Sequence, residues 1–333
     1  MAGRPAHAPE PESAFLASIR TRIAALDLDL DGLNVVTEAA TGAYACTAVI
    51  AALAGARVTA LARDTANHGT AGDAFAETRA LAAEAGVADR IRFVERLDAE
   101  TLARCDILTN SGHLRPITAE TIAALPSTAA IGLMFEAWEF RGADLDLDAA
   151  HARGIPVAGV NERHPDVGVF PFLGPLAVKL LTDAGFDPRG RRIALLCDNP
   201  FADFIGDGLA AAGAVTGLFP NTDALTEGDW HAVLVAIDPM RNPALGPDAL
   251  ARIAAAAPGA LVAQFWGDID RNAADAAGLA VVPARAPRSG HMAILLNALG
   301  HEPIVRLQAG GLKAAELLFR KSIPTPGGIA EAL

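Results

Sequence analysis

Short apolar runs alternate with longer stretches in which apolar residues recur every three or four positions. Runs such as 193–196 and 261–264 are typical of buried strands, whereas stretches such as 43–54 and 247–256 are typical of helices that cover a sheet. This alternation continues along nearly the whole chain, so the pattern predicts α/β layers with mainly parallel sheets. The long apolar stretch 168–184 predicts a helix that bridges two such units.

The same periodicity gives the bounds of each expected element. Helices are expected at 12–26, 43–54, 71–85, 99–104, 119–125, 147–153, 168–184, 202–212, 247–256 and 309–320. Strands are expected at 34–37, 57–62, 91–94, 106–109, 130–134, 156–160, 191–196, 233–237, 261–264 and 280–282. The predicted organisation is a loose tail (1–12), a first Rossmann-like domain (13–167), a bridging helix (168–186), a second Rossmann-like domain (187–305) and a C-terminal helix that packs back on the first domain (306–333).

Polar side chains gather where the predicted strands end, and ligands of open parallel sheets bind beyond the carboxyl ends of the strands. We therefore expect a small-molecule site in a cleft between two lobes. The candidate catalytic residues in these clusters are His113, Arg115, Glu136, Glu139, Arg141, His164, Asp268 and His291.

Each residue type in these clusters suits a particular role. Histidine titrates near neutral pH, so His164 or His291 is the expected acid or base. Arg115 and Arg141 could clamp a carboxylate, or could instead pair with Glu136 or Glu139. The acidic residues of the clusters would suit an amine or zwitterionic substrate; they are Glu136, Glu139, Glu162, Asp198, Asp268 and Asp270. No metal-ligand spacing occurs among them, and we expect no metal.

The first strand-to-helix junction is the best candidate for a phosphate-binding loop. Its residues Thr41, Gly42, Ala43 and Tyr44 precede a helix, whose N-terminus favours an anion. Arg63 and Asp64 follow by about 20 residues, where an acid would bind a ribose and an arginine a 2′-phosphate, so NAD and NADP both remain open. A small-residue turn without a ligand is the alternative. Further cofactor contacts are expected at Asn110, Asp198 and Asn199.

Composition narrows the class of protein. The net charge of −12 argues against a nucleic-acid surface or an anionic membrane surface. Apolar stretches are shorter than the roughly 20 residues of a membrane span, and we expect a cytoplasmic protein. Cys46, Cys105 and Cys197 have no metal spacing and are expected to be buried thiols, although Cys197 ends a strand near the expected site.

The chain between Cys105 and Leu181 resembles the D-2-hydroxyacid dehydrogenase family. The matching segments are Cys105-Asp106-Ile107-Leu108, Pro116-Ile117-Thr118-Ala119-Glu120-Thr121-Ile122, Leu145-Asp146-Leu147-Asp148-Ala149-Ala150 and Arg153-Gly154-Ile155-Pro156-Val157. The resemblance implies two Rossmann-like lobes, a cleft between them, a nicotinamide cofactor and a homodimer.

The chain departs from that family at several functional positions. The family binds its cofactor in the second lobe through a glycine-rich loop, which 197–201 does not supply. Its catalytic arginine would fall at Trp266, its catalytic glutamate has no counterpart in 281–287, and its histidine could be His291. The segment 37–44, which opens with Glu38, together with 89–94, resembles instead the first motifs of class I methyltransferases, which makes S-adenosylmethionine an alternative ligand.

Together these observations predict an NAD(P)-dependent oxidoreductase that acts on a small amino- or hydroxy-acid. Two alternatives remain open. One is an enzyme that binds S-adenosylmethionine or another nucleotide through Thr41–Tyr44, and the other is a non-catalytic binding or scaffold protein on a dehydrogenase fold.

Overall fold

A computed structural model describes residues 12–65, 69–322 and 324–333 of the 333-residue chain. The predicted loose tail (1–12) lies outside these residues except for Glu12. None of the helices in the described ranges is long and apolar enough to cross a membrane.

Helices and strands alternate through most of the described chain, as the apolar pattern predicts. The α-helices are α1 (Ala14–Ala25), α2 (Cys46–Leu53), α3 (Ala71–Glu84), α4 (Ala99–Ala103), α5 (Ala119–Ala124), α6 (Leu147–Ala152), α7 (Leu173–Asp183), α8 (Phe201–Ala211), α9 (Pro247–Ala256), α10 (Arg271–Ala276) and α11 (Glu302–Phe319). The strands are β1 (Asn34–Glu38), β2 (Arg57–Leu61), β3 (Ile91–Val94), β4 (Ile107–Thr109), β5 (Ala130–Gly132), β6 (Val157–Val160), β7 (Arg192–Cys197), β8 (Val215–Phe219), β9 (Ala232–Ala236), β10 (Leu261–Trp266), β11 (Val281–Val282) and β12 (Ala330–Ala332). Short 3-10 helices occupy Gly42–Ala45, Ala88–Arg90, Gly112–Leu114, Ala137–Glu139, Phe170–Phe172 and Leu296–Leu299.

The chain divides into two compact units, one of which is discontinuous in sequence. Unit 1 comprises Met1–Val167 and Ile304–Leu333, and unit 2 comprises Gly168–Pro303. Each unit contains one sheet. The sheets are parallel except for the terminal strand β12, which pairs with β6 in the antiparallel sense. The predicted fold class, α/β with two Rossmann-like units and mainly parallel sheets, is confirmed.

The sheet of unit 1 has the strand order β12-β6-β5-β4-β1-β2-β3. Its six parallel strands therefore follow the order 3-2-1-4-5-6 of dinucleotide-binding sheets, in which the direction of winding reverses between strands 1 and 4. That reversal lies between β1 and β4, which pair at Val35–Ile107 and Val36–Leu108. Ligands of such sheets bind outside the strand ends at this switch point.

The sheet of unit 2 has the strand order β11-β10-β9-β7-β8. Numbered within the unit, this is the 2-1-3-4-5 order, whose switch point lies between its first and third strands. Here these are β7 and β9, both almost wholly buried. An apolar core with residues such as Leu196, Val235, Ile253 and Val262 joins the sheet to α9.

Helix α11 lies across the sheet of unit 1 at backbone contact distance. A Cβ placed on Gly132 would lie 2.8 Å from Cβ of Ala315, and one placed on Gly311 would lie 2.4 Å from Sδ of Met134. Because no side chain fits there, glycine allows the helix to approach the strand closely. The prediction that a helix begins at residue 309 is wrong, since α11 begins at Glu302 and its glycines lie in its interior.

Three further elements were not predicted from the sequence. Strand β8 carries exposed and half-buried residues, α10 is a short helix capped by the Asp270 carboxylate, and β12 pairs only with β6. Each of them depends on a neighbouring segment for its stability, and its own hydrophobic periodicity is weak.

Candidate functional site

The switch point of unit 1 holds a buried carboxyl group, that of Glu38 at the end of β1. Glu38 is 7% exposed, and its Oε2 accepts a hydrogen bond of 3.2 Å from the backbone N–H of His113. Burial raises the pKa of Glu38 to about 7, although this hydrogen bond, the charge of Arg115 and the N–H of Gly112 oppose the rise. The group is therefore able to hold or release a proton near neutral pH.

Three hydroxyl groups form a buried cluster beside this carboxyl group. Thr109 Oγ1 lies 2.8 Å from both Thr37 Oγ1 and Ser111 Oγ, and the latter two oxygens lie 3.4 Å apart. Thr37 belongs to the same strand as Glu38, and Thr109 and Ser111 lie at the end of the neighbouring strand β4. The cluster lines the switch point with groups that both donate and accept hydrogen bonds.

Tyr44 and Arg115 extend the polar lining. Burial raises the pKa of Tyr44 to about 12, and the charges of Glu38 and Glu162 add to the rise, so its hydroxyl remains protonated at physiological pH. Arg115 is electrostatically coupled to both Glu38 and Tyr44. Its Nη1 also lies 3.3 Å from Asp144 Oδ2.

Asp144 is also the ion-pair partner of Arg141, whose Nη2 lies 2.9 Å from Asp144 Oδ2. The alternative pairing of Arg115 and Arg141 with Glu136 or Glu139 is therefore not what the structure shows. Both arginines therefore share the Asp144 carboxylate, which lies three residues after Arg141.

The predicted phosphate loop has its backbone donors partly occupied. The N–H of Gly42 donates to Glu77 Oε2 at 2.7 Å, and the N–H of Ala40 donates to Thr78 Oγ1 at 3.2 Å. Gly42 has φ of 61° and open space around its Cα, whereas Glu77 is exposed. The Gly42 amide thus already binds an anionic oxygen, supplied by a side chain that is free to move into solvent.

The other predicted cofactor residues of unit 1 lie at neighbouring strand ends. Arg63 and Asp64 are exposed after β2, and Asp64 Oδ1 accepts a 2.8 Å hydrogen bond from the N–H of Ala71. Asn110 is fully buried after β4, where its Oδ1 accepts from the N–H of Met134 at 2.8 Å and its Nδ2 has no partner among the described residues.

Carboxyl groups concentrate at the ends of β5 and β6. Glu136 Oε1 accepts hydrogen bonds from the N–H of Glu162 at 2.9 Å and from Arg163 Nε at 3.0 Å, and its Oε2 accepts from Trp138 Nε1. Arg163 Nη2 also lies 3.1 Å from Glu331 Oε1 on β12. Burial raises the pKa of Glu136 and raises that of Glu162 well above its usual range; nearby carboxylates, including Glu139, contribute to the rise at Glu162.

The two predicted histidines of unit 1 have local partners. His113 Nδ1 accepts a hydrogen bond of 3.3 Å from the N–H of Arg63, and its own backbone N–H faces Glu38. His164 Nδ1 accepts from the N–H of Asp166 at 3.2 Å, in the loop after β6. His113 is therefore the histidine that the structure brings to the switch point.

His291 and Asp268 lie in unit 2, next to each other. Asp268 Oδ1 accepts from the N–H of Gly290 at 3.0 Å, its Oδ2 accepts from the Ser289 hydroxyl, and His291 Nδ1 lies 3.0 Å from the Ser289 carbonyl oxygen. Asp268 thus orders the loop that carries His291.

The strand ends of unit 2 do not fit a dinucleotide diphosphate. The Asp198 carboxylate accepts from the N–H of Asp238 at 2.9 Å and from Asn242 Nδ2 at 2.6 Å. The N–H of Phe201 at the start of α8 is taken by Asn199 Oδ1 at 3.1 Å. An incoming diphosphate would meet a carboxylate and an occupied amide here, where dinucleotide loops offer free N–H groups.

The glycines and the thiol of this region have other roles. A Cβ placed on Gly208 would lie 2.2 Å from Cα of Gly174, so these glycines allow α7 and α8 to pack closely.

Burial raises the pKa of Cys197 to about 12, and its Sγ donates to the Asn199 carbonyl oxygen at 3.6 Å. A thiol that ionises so reluctantly is a poor nucleophile.

Unit 1 thus brings together His113, Arg115, Tyr44 and the loop at Gly42 around a carboxyl group that was not among the site residues predicted from the sequence. The sequence signal for Glu38 was a charged residue that ends an otherwise apolar strand, Asn34–Glu38. No set of three or more His, Cys, Asp or Glu side chains in the described ranges could hold a metal ion.

Solved structures resemble this chain in fold at low sequence identity. A dipicolinate synthase from Bacillus subtilis has 13% identity and a TM-score of 0.57, over 89% of this chain and 100% of the other. A dipicolinate synthase from Bacillus halodurans has 12% identity and a TM-score of 0.56, again over 89% and 100%. A D-isomer specific 2-hydroxyacid dehydrogenase from Lactobacillus delbrueckii ssp. bulgaricus, in its NAD-complexed form, has 11% identity and a TM-score of 0.51, over 90% and 99%.

Comparison at the level of sequence gives no counterpart, since neither a protein-family model nor a curated protein matches the chain. The structural comparisons therefore show the fold of the chain. The resemblance to D-2-hydroxyacid dehydrogenases expected from the sequence is thus confirmed for the fold, at low sequence identity.

Proposed function

We propose that the protein is an oxidoreductase that uses a nicotinamide nucleotide. The nucleotide binds at the switch point of unit 1, and Glu38 is the general acid or base. The observation that carries this proposal is the buried Glu38 carboxyl group at the β1–β4 switch point of a 3-2-1-4-5-6 sheet. The shared fold with an NAD-complexed dehydrogenase supports the cofactor class.

The residues of unit 1 fit a nucleotide better than those of unit 2. The Gly42 amide already binds a carboxylate oxygen, and an anionic phosphate oxygen could replace the exposed Glu77 side chain there. Asp64 lies at the end of the next strand, where an acid contacts a ribose hydroxyl. Thr41, Ala43, Tyr44, Arg63 and Asn110 complete the proposed lining.

When bound, a nicotinamide would supply hydride transfer, and the chain would supply the proton transfer that accompanies it. Glu38 can donate or accept that proton near pH 7, because burial raises its pKa to about 7. The charge of Arg115 would favour the ionised form of Glu38 and attract a substrate carboxylate. The hydroxyl cluster of Thr37, Thr109 and Ser111 would orient polar atoms beside Glu38.

A ligand panel tests the cofactor class directly. Purified protein is titrated calorimetrically and by thermal shift with NAD, NADP, their reduced forms, S-adenosylmethionine and S-adenosylhomocysteine. A ligand at 100 times its Kd is expected to add about 2.7 kcal/mol of stability. Binding of a nicotinamide nucleotide supports the proposal, whereas binding of an S-adenosyl compound alone, or of no member of the panel, overturns it.

Matched aspartate variants test which unit holds the nucleotide. Asp64→Asn is expected to weaken nucleotide binding about tenfold, since a charge-assisted hydrogen bond contributes about 1.5 kcal/mol or more. Asp198→Asn, at the end of the first strand of unit 2 (β7), is expected to leave the affinity unchanged. If Asp198→Asn weakens binding and Asp64→Asn does not, the nucleotide binds unit 2 and the assignment to unit 1 is wrong.

A further inference from the structure

Glu162 carries a buried carboxyl group without a hydrogen-bond donor. It follows β6 by two residues and is 7% exposed, yet no donor in the described part of the chain bonds to its side-chain oxygens. Those oxygens are nevertheless not fully enclosed by the described part of the protein. The carboxyl group thus lacks a donor and keeps a small contact with solvent.

The neighbouring charged groups are already engaged with one another. Glu136 accepts from the N–H of Glu162, from Arg163 Nε and from Trp138 Nε1. Glu331 accepts from the N–H of Ala137 at 3.2 Å and from Arg163 Nη2 at 3.1 Å. Arg163 therefore donates hydrogen bonds to Glu136 and Glu331, and none of these neighbours donates to the carboxylate of Glu162.

We propose that Glu162 binds the ammonium group of a small amine or zwitterion, which makes such a compound the substrate class of unit 1. An ammonium group is a compact charge with three donors, and it would supply the donors that the Glu162 carboxylate lacks. A divalent metal is a poorer occupant, because the described residues offer no set of three suitable ligands.

The electrostatics around Glu162 support this assignment. Burial and the carboxylates of Glu139, Glu136 and Glu331 raise the pKa of Glu162, and Arg163 opposes the rise. A bound cation would offset the repulsion among these groups and favour the ionised form of Glu162. Binding of the ammonium group would therefore lower the pKa of Glu162.

The site also connects to the proposed acid–base group. The Tyr44 phenol interacts electrostatically with both Glu162 and Glu38, and Arg115 interacts with Tyr44 and Glu38. A zwitterion with its ammonium group on Glu162 could direct its carboxylate to Arg115 and its reactive carbon to Glu38. Because this ligand would be the substrate of the enzyme proposed above, its catalytic use rests on that function, whereas its binding does not.

The test uses full-length protein without nucleotide, so that its outcome is separate from that of the nucleotide panel. Calorimetric titration compares the common L-amino acids and putrescine with the 2-hydroxy acids that match those amino acids but lack the amine. At least one amine is expected to bind ten times more tightly than its hydroxyl counterpart. Titration in buffers of different ionisation enthalpy is expected to show net proton release on binding, because the bound cation lowers the pKa of Glu162.

Two variants test whether amine binding and proton release depend on Glu162. Glu162→Gln is isosteric with the protonated acid and is expected to lower amine affinity at least tenfold and to abolish proton release. Glu316→Gln, the control, alters a glutamate that is equally buried but paired with Lys313 and Arg320, and it is expected to leave both quantities unchanged. The proposal is overturned if no amine binds, if the hydroxy acids bind equally well, or if Glu162→Gln retains wild-type affinity; the first two of these outcomes need no variant.

Discussion

At the scale of single residues, Glu38 couples the stability of the protein to pH. Its pKa lies at about 7 in the folded protein against 4.5 for the free side chain. The folded state therefore binds the proton more tightly than the unfolded state, and stability falls as pH rises from about 4.5 through 7. A difference of this size corresponds to about 3 kcal/mol once Glu38 is ionised.

Replacing Glu38 with Gln removes the cost of ionising a buried carboxyl group, which is largest at high pH. We expect the Glu38→Gln variant to gain stability over wild type as pH rises. The difference in free energy of unfolding between variant and wild type is expected to be up to about 3 kcal/mol larger at pH 8 than at pH 5. Urea denaturation at both pH values measures the difference, and Glu120→Gln at an exposed position of α5 is the control. An effect of Glu38→Gln that is the same at both pH values would show that Glu38 does not titrate as described.

Sequence reasoning identified the neighbourhood of this residue but not its role. His113, Arg115 and the Gly42 loop were predicted as candidates because polar residues follow strands, and they do lie at the switch point. The proton affinity of Glu38 is raised by burial and lowered by hydrogen bonds from groups distant in sequence, the backbone N–H groups of Gly112 and His113. Hydrophobic periodicity reports which face of a strand is covered, but it does not report how fully a terminal carboxyl group is desolvated.

At the scale of secondary structure, two glycines of α8 have opposite packing environments. A Cβ on Gly208 would meet Cα of Gly174 at 2.2 Å, whereas a Cβ on Gly206 would meet nothing within 4 Å. Both lie inside the same helix, which makes them a matched pair.

We expect Gly208→Ala to destabilise unit 2 by about 1–3 kcal/mol, because the added methyl group forces α7 and α8 apart. Gly206→Ala is expected to stabilise the helix by about 0.5–1 kcal/mol, since alanine loses less backbone entropy in a helix. Thermal or urea unfolding of the two variants checks the signs. Equal effects of the two substitutions would mean that α7 and α8 are not in backbone contact.

The elements that the sequence predicted poorly share a physical cause. The sequence predicts that the last helix begins at residue 309, whereas α11 begins at Glu302, and Gly310 and Gly311 in its interior pack closely on Val160, Val167 and Met134. Strand β12 has three residues and exists through its pairing with β6. Where tertiary contact determines an element, local pattern has little power to predict it.

At the scale of the whole molecule, three carboxyl groups with a raised pKa lie in unit 1, those of Glu38, Glu136 and Glu162. Each contributes stability that is present at low pH and lost as pH rises through its folded pKa. We therefore expect unit 1 to lose stability between pH 5 and pH 8 to a greater extent than unit 2.

Hydrogen exchange followed by mass spectrometry can resolve the two units. After correction for the intrinsic pH dependence of exchange, peptides from β1, β4 and β6 are expected to lose protection at pH 8 relative to pH 5. Peptides from β7, β9 and β10 are expected to change less. A loss confined to unit 2 would contradict the placement of the titrating groups.

The architecture was predictable at this scale because strand–helix alternation is strong along the chain, and the resemblance between Cys105 and Leu181 already indicated two Rossmann-like units. The strand orders were not predictable, since they depend on which strands pair. The pairing of β1 with β4 makes unit 1 the unit with the dinucleotide-type order, which moves the proposed nucleotide site away from the lobe that the resemblance implied.

The discontinuity of unit 1 has a consequence for synthesis on the ribosome. The ribosome completes all of unit 2 before α11 and β12 emerge, so unit 2 can fold while unit 1 still lacks its last helix and its edge strand. During that interval Gly132, Met134 and Val160 have no α11 to cover them, and β6 has an unpaired edge. A nascent chain stalled before residue 302 should therefore bind chaperones through unit 1, and synthesis of α11 and β12 should end that dependence.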